Sequence, residues 1–200
     1  MTLVLEPTIG PPEVLRSAAW HRPASIGERR LLAAVRTPLL DVGCGPGRVV
    51  AAVAGQGLPA LGIDAAPAAV SQAASLGVPA LRRSVFDPLP GEGRWCTVVL
   101  LDGNVGIGGD VGALLTRCGA MLAADGEVLV EVAADGSPRR SGPARLVASG
   151  TRSPWFPWAW VDAPSLRSFA LASGLVVRSS TVLEGRCFVS LTRNPDLVRR

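Results

Sequence analysis

Apolar positions in the middle of the chain come in short blocks whose period switches between that of a buried strand and that of a helix. "PLLDVGC" (Pro38 to Cys44) predicts a buried strand, and "RVVAAVAGQG" (Arg48 to Gly57) an Ala/Val-rich helix stopped by glycine. "PALGIDA" (Pro59 to Ala65) reads as a second strand and "PAAVSQAASLG" (Pro67 to Gly77) as a helix with proline at its start and glycine beyond its end. "PALRRSVFD" (Pro79 to Asp87) and the apolar "CTVVLLDGN" (Cys96 to Asn104) supply two more strands. The amphipathic "DVGALLTRCGAMLAADG" (Asp110 to Gly126) predicts a helix, and "EVLVEVA" (Glu127 to Ala133) a further strand. Strands alternating with helices at this spacing imply a parallel sheet covered on both faces.

Beyond Ala133 the pattern changes. "ADGSPRRSGPARLVASGTRSPWFPWAWV" is rich in Gly, Pro and Ser and reads as a loop, with Trp155, Trp158 and Trp160 among its residues. A helix over Asp162 to Leu175 follows, with Asp162 as its N-cap. "VVRSSTVLEG" and "RCFVSLTRN" (Val176 to Asn194) then read as two strands joined tightly at Glu184-Gly185, an antiparallel hairpin.

Composition narrows the function classes. With 200 residues, 48% of them hydrophobic and 18% charged, the chain suits one packed domain. No apolar run approaches the roughly 18 residues that cross a membrane. The opening "MTLVLEPTIGPPEV" lacks a basic start and an apolar block, so a cytoplasmic protein is expected. Cys44, Cys96, Cys118 and Cys187 are scattered, which suits neither a disulfide framework nor a metal site. The net charge of +4 comes entirely from arginines in dispersed positions. Without a basic stripe interleaved with aromatics, nucleic acid is disfavoured as a partner.

The chemistry-bearing stretch is "LLDVGCGPGRVV" (Leu39 to Val50). A strand ending in glycines and opening a helix turns backbone N–H groups towards a ligand and lets it approach the main chain. A dinucleotide turn wants G-x-G-x-x-G/A, but the third small position here is Arg48. Asp41 stands just before the turn, where a carboxylate repels a pyrophosphate and attracts the cationic ammonium and sulfonium of S-adenosylmethionine. Asp64, at the end of the second strand, suits ribose hydroxyls in either fold.

"LLDVGCGPG" followed by "LGIDAAP" resembles the first two motifs of the class I S-adenosylmethionine-dependent methyltransferases, closely over Leu31 to Val132 and more loosely through the final helix and hairpin. The resemblance implies a Rossmann-like α/β fold. It is a three-layer αβα sandwich on a mostly parallel seven-stranded sheet, order 3-2-1-4-5-7-6, with strand 7 antiparallel. It further implies Gly43, Gly45 and Gly47 under the methionine and ribose portion, Asp41 near the amino group, and Asp64 with Ala65 at the ribose. In many relatives the third strand ends in Gly-Asp-Ala, whose acid contacts adenine. Ser84 stands at that place here, with the Val85 N–H beside it and Asp87 three residues on.

"DGNVGIGG" (Asp102 to Gly109) follows the fourth strand, beside the point where strand order reverses and ligands collect. Asp102 and Asn104 are therefore candidates for orienting an acceptor or the methionine end. The loop lacks the Asn/Asp-Pro-Pro-aromatic signature of adenine-amino and glutamine methyltransferases. His21 is the single histidine and a candidate base in an N-terminal segment that commonly lids the pocket in this family, and Glu131 is a comparable candidate.

The expected organisation is one domain over residues 1–200: an N-terminal helical cap (1–36), a cofactor-binding half (37–133), a Trp-rich substrate-side loop (134–161), and a final helix with hairpin (162–200). The expected activity is methyl transfer from S-adenosylmethionine to a small organic acceptor, leaving S-adenosylhomocysteine, with no metal, no membrane and room for a homodimer. An NAD(P)-dependent oxidoreductase, a non-catalytic S-adenosylmethionine-binding protein, and an RNA or protein methyltransferase are the alternatives.

Overall fold

The computed structural model describes residues 2–133 and 140–195. Its main sheet grows outward from β3 (Leu39–Val42), whose four residues are all buried. β3 pairs in parallel with β4 (Ala60–Asp64) on one side and β6 (Trp95–Leu100) on the other. β5 (Ala80–Arg82) extends the sheet beyond β4, and β7 (Leu122–Val132) beyond β6, again in parallel. β11 (Leu175–Leu183) and β12 (Arg186–Arg193) form the antiparallel hairpin, with β12 antiparallel to β7. The order β11-β12-β7-β6-β3-β4-β5 reproduces the expected 3-2-1-4-5-7-6 sheet with its antiparallel strand.

Neighbouring residues of one strand serve opposite faces, as the two-residue strand period requires. Leu40, Val98, Val128 and Val130 pack with α5 (Val111–Met121) and α6 (Ala163–Ala172) through Leu114, Leu115, Met121 and Leu166. Leu39, Val99 and Leu129 face the other way, against Leu32 of α2 (Ile26–Ala33) and Val49 and Val53 of α3 (Arg48–Ala54). α4 (Pro67–Ser75) joins that second layer through Ala73, beside Val50 and Val78. Asp162 caps α6 by accepting from Ser165 N. Glu184 and Gly185 turn the hairpin with φ of +52° and +74°.

The chain outside the main sheet differs from expectation. The 1–36 segment is not all helix. It begins with β1 (Leu3–Pro7) and β2 (Glu13–Leu15), before the short α1 (Ser17–Trp20) and α2. Within the Trp-rich segment expected as a loop, β8 (Arg140–Ala148), β9 (Thr151–Arg152) and β10 (Phe156–Trp160) are strands, while 134–139 lie outside the described residues. Together these form a second, antiparallel sheet of order β10-β8-β1-β2, with β9 against β8. Proline hid these strands. Pro143 and Pro157 face each other across β8 and β10. The Pro143 carbonyl accepts from Thr8 N at 3.0 Å on the other side, so this is a pair that needs no N–H from either ring.

The third strand is also shorter than its apolar run. Asp87 Oδ2 accepts from Ser84 N at 3.0 Å and Asp87 N donates back to Ser84 O, which closes a turn where the strand was expected to continue. No helix among the described residues is long and apolar enough to cross a membrane.

Candidate functional site

Gly43, Gly45 and Gly47 all have positive φ, of +74°, +55° and +88°, so the turn from β3 into α3 is one that other residues adopt only under strain. Their open sides face different neighbours. A Cβ on Gly43 would meet Asn104 Nδ2 at 2.5 Å, and one on Gly47 would meet Val78 Cγ1 at 2.6 Å. A Cβ on Gly45 would meet nothing within 4 Å. Gly45 therefore presents bare backbone to open space, whereas Gly47 is turned to packing between α3 and α4.

Two polar side chains shape the turn. Asp64 Oδ2 accepts from Gly45 N at 2.9 Å, and its Oδ1 accepts from Ala66 N at 2.8 Å. Asn104, on a short 3-10 helix after β6 (Asn104–Gly106), donates both Nδ2 hydrogens, to Val42 O and Gly43 O, each at 2.9 Å. Asn104 is thus a positioning residue for the turn. Its amide donors are spent on protein carbonyls.

Asp41 is only 3% exposed, and no donor of the described residues hydrogen-bonds its carboxylate. Burial pushes its pKa up to about 7. Arg48 opposes this, and the neighbouring Asp102, Asp64 and Glu28 carboxylates add to it. A buried acid without a donor is costly unless something supplies one.

Beside this turn lies a cluster of charges that sequence reading did not assemble. Arg48, at the start of α3, pairs with Glu28 at 2.5 Å and Asp102 at 2.7 Å. Arg186, opening β12, reaches Glu28 at 2.6 Å, Asp102 at 3.1 Å and Glu131 at 2.5 Å. Burial alone would raise the pKa of Glu28, but hydrogen bonds from Arg48 and Arg186 outweigh it and draw the pKa down to about 2. Glu28 also closes a capping box with Ser25 at the start of α2. Asp102 takes a φ of +54° to present its carboxylate to both arginines, while its own N–H donates to Glu131.

Asp102 and Glu131 also line a cavity of about 480 Å³ between the ends of β6 and β7 and the second sheet. Leu5, Val105, Trp20, Trp158 and Trp160 make much of its wall. The second sheet is tied over this end by Ala133 N donating to Val161 O at 3.2 Å and by a bridge between Ile107 and Trp158.

The other expected residues spread around this centre. Ala65 is exposed beside Asp64. Ser84 is half-buried, with its N–H held by Asp87 and its Oγ accepting from Phe86 N at 3.3 Å, while Val85 is packed in the core. Arg117 of α5 clamps that loop by donating to Val85 O and Asp87 O. His21 is not brought to the cavity. It is exposed, with its Nδ1 2.9 Å from Gln72 Nε2 on α4, and is absent from the lining residues although Trp20 just before it is among them.

No family model and no curated protein matches the sequence. Among solved structures, the chain is similar to an S-adenosylmethionine-dependent methyltransferase from Bacteroides fragilis in complex with S-adenosyl-L-homocysteine. The TM-score is 0.79 at 20% identity, covering 96% of this chain and 88% of that one. The fold is that of the class I S-adenosylmethionine-dependent methyltransferases. Two further structures with this methyltransferase fold are similar over most of their length. One is the 1,6-didemethyltoxoflavin-N1-methyltransferase of Burkholderia thailandensis (TM-score 0.65, 18% identity, 95% of each chain). The other is the sugar N-methyltransferase KedS8 of a Streptoalloteichus species (TM-score 0.62, 17% identity, 90% of each chain). The glycine turn, Asp41 and Asp64 stand at the carboxyl ends of β3 and β4, inside the sheet, and the cavity adjoins them through Asp102.

Proposed function

We propose that this protein is a methyltransferase that takes the methyl group of S-adenosylmethionine and passes it to a small organic acceptor held in the 480 Å³ cavity. The observation that carries this reading is Asp41: a buried carboxylate with no protein donor, beside a turn whose Gly45 leaves the backbone bare. A cationic ligand satisfies that carboxylate, whereas a pyrophosphate is repelled by it. The similar structures solved with S-adenosylhomocysteine agree in fold and in that ligand class.

In this reading Asp41 faces the ammonium of the methionine end, Asp64 offers its remaining lone pairs to ribose hydroxyls, and Gly45 admits the ligand against the main chain. Ser84 and Val85 border the adenine side. Bound S-adenosylmethionine would supply a methyl carbon activated by a sulfonium leaving group. The protein's task is then mostly to hold an acceptor in line with it and to keep water out. Among the described residues the cavity is lined by no histidine, so any proton removal falls to Glu13, Asp102 or Glu131.

Titration calorimetry with S-adenosylhomocysteine and, separately, with NADH tests the ligand class. Binding of the first and not the second is expected, and the reverse would overturn the reading. Release of S-adenosylhomocysteine from S-adenosylmethionine on adding an acceptor separates transfer from mere binding. Gly45→Ala sharpens the test. Its new methyl group meets no protein atom within 4 Å, so folding loses only the left-handed strain, about 1–2 kcal/mol. S-adenosylhomocysteine affinity is expected to fall by about tenfold or more, because the methyl group occupies ligand space.

A further inference from the structure

The rim of the cavity carries positive charge that no ion pair among the described residues matches. Arg16 and Arg140 both line it, and neither forms an ion pair among the described residues. Glu13, the carboxylate on that rim, accepts instead from Trp160 Nε1 at 2.8 Å. At the floor the balance is different, since Asp102 and Glu131 are met there by Arg48 and Arg186.

Arg140 is built into its place. Its guanidinium carbon lies 4.1 Å from the centre of the Trp160 ring, and Nη2 donates to Pro11 O at 3.3 Å. Nη1 occupies the space where any side chain at residue 10 would begin, because a Cβ on Gly10 would fall 2.0 Å from it. Its Nε is buried with no acceptor among the described residues. A guanidinium held this way has already lost its freedom. Its buried Nε is closed to a ligand, but the Nη hydrogens that Pro11 O does not take suit a carboxylate received end-on by the planar fork. The indoles of Trp20, Trp158 and Trp160 line the same space and offer flat faces and edges to a ring.

We propose that the cavity selects a planar organic acid: an acceptor whose ring lies among the three tryptophans and whose carboxylate is taken by Arg140, with Arg16 adding positive potential. This deepens the acceptor side of the methyltransferase reading and rests on it for the word acceptor, although the anion site is testable without any methyl transfer.

The test uses three naphthalene probes of one shape and different charge, naphthalene-2-carboxylate, naphthalene-2-methanol and naphthalene-2-methylammonium. Each is titrated calorimetrically into the full-length protein with and without S-adenosylhomocysteine. The carboxylate is expected to bind about tenfold or more tighter than the alcohol, with the ammonium weakest. Arg140→Gln should compress the carboxylate's advantage to about threefold or less, and Arg140→Lys, which keeps the charge but not the fork, should retain part of it. S-adenosylhomocysteine binding, which Arg140 does not touch in this reading, checks that each variant is folded. Equal or tighter binding of the alcohol or the ammonium, no carboxylate binding at millimolar concentration, or an advantage that survives in Arg140→Gln would each overturn the proposal. Carboxylate preference in a protein that ignores S-adenosylhomocysteine would sink the methyl-donor reading and leave the anion site standing. S-adenosylhomocysteine binding with no charge preference would do the opposite.

Discussion

Asp41→Asn should make the ligand-free protein more stable at neutral pH while weakening S-adenosylhomocysteine about 10- to 100-fold. The two effects have one cause. Burial holds the Asp41 proton up to about 7, against an ordinary 3.8, so the empty fold binds that proton more tightly than the unfolded chain does. The contribution of Asp41 to stability is therefore complete below about pH 4 and is lost as pH rises through about 7. Asparagine has no proton to lose, so the variant should pull ahead of the wild type over that window in thermal unfolding without ligand. A cationic ligand reverses the preference, since it pairs with the ionised form. Wild-type affinity should fall by up to about tenfold per pH unit below about 7, with proton release on binding, and the variant's affinity should be flat there. Calorimetry in buffers of different ionisation enthalpy reads both quantities. A wild type with pH-independent affinity between 5 and 8 would contradict the role assigned to Asp41.

Arg186→Met should cost about 3–5 kcal/mol in urea unfolding, because it leaves Glu131 with no ion pair and Glu28 and Asp102 to share the single remaining Arg48. The side chains concerned are 4–20% exposed, so water cannot take over the lost pairing. Arg36→Met is the control. Its pair with Asp125 is 50% and 71% exposed, so its loss should hardly move the unfolding midpoint. The cluster should also set the acid limit of the fold. The pKa of Glu28 is depressed from an ordinary 4.5 to about 2, so its contribution is full above about pH 4.5 and disappears as pH falls towards 2. Removing Arg186 should narrow that gap and make acid unfolding less steep. An Arg186→Met variant as stable as the Arg36→Met control would show that the cluster is not a structural lock.

The cluster also bears on the site, because it ties together parts of the chain that each hold one wall. Glu28 belongs to α2, Arg48 to the helix after the glycine turn, Asp102 and Glu131 to the cavity floor, and Arg186 to the last strand. Glu184, just before Arg186, accepts from Ser25 Oγ at 2.6 Å and Gly27 N at 2.9 Å, so the hairpin also holds the start of α2. The Ser25 and Gly27 hydrogen bonds keep the Glu184 carboxyl below its ordinary range.

The sequence by itself determined whatever depends on neighbours a few residues apart. The apolar run of β3, the glycines that follow it and the start of α3 are one local pattern, and so are the Asp162 cap and the Glu184-Gly185 turn. The placement of Asp41 and Asp64 at the ends of adjacent strands followed from the same pattern, because parallel pairing puts strand ends side by side. Tertiary structure alone decided the rest. The second sheet has proline, glycine and serine where strand formers are usual, and it exists because β1 arrives from the far end of the chain to pair with β8. His21 was turned to Gln72 on α4 and not to the cavity, and Asn104 was drawn under Gly43 as a support. The charge cluster joins residues 28, 48, 102, 131 and 186, and the Arg140 anchor joins residues 10, 11, 140 and 160. Coulomb attraction and desolvation act through space at a few ångströms, so no periodicity along the chain records which charges the fold will bring together.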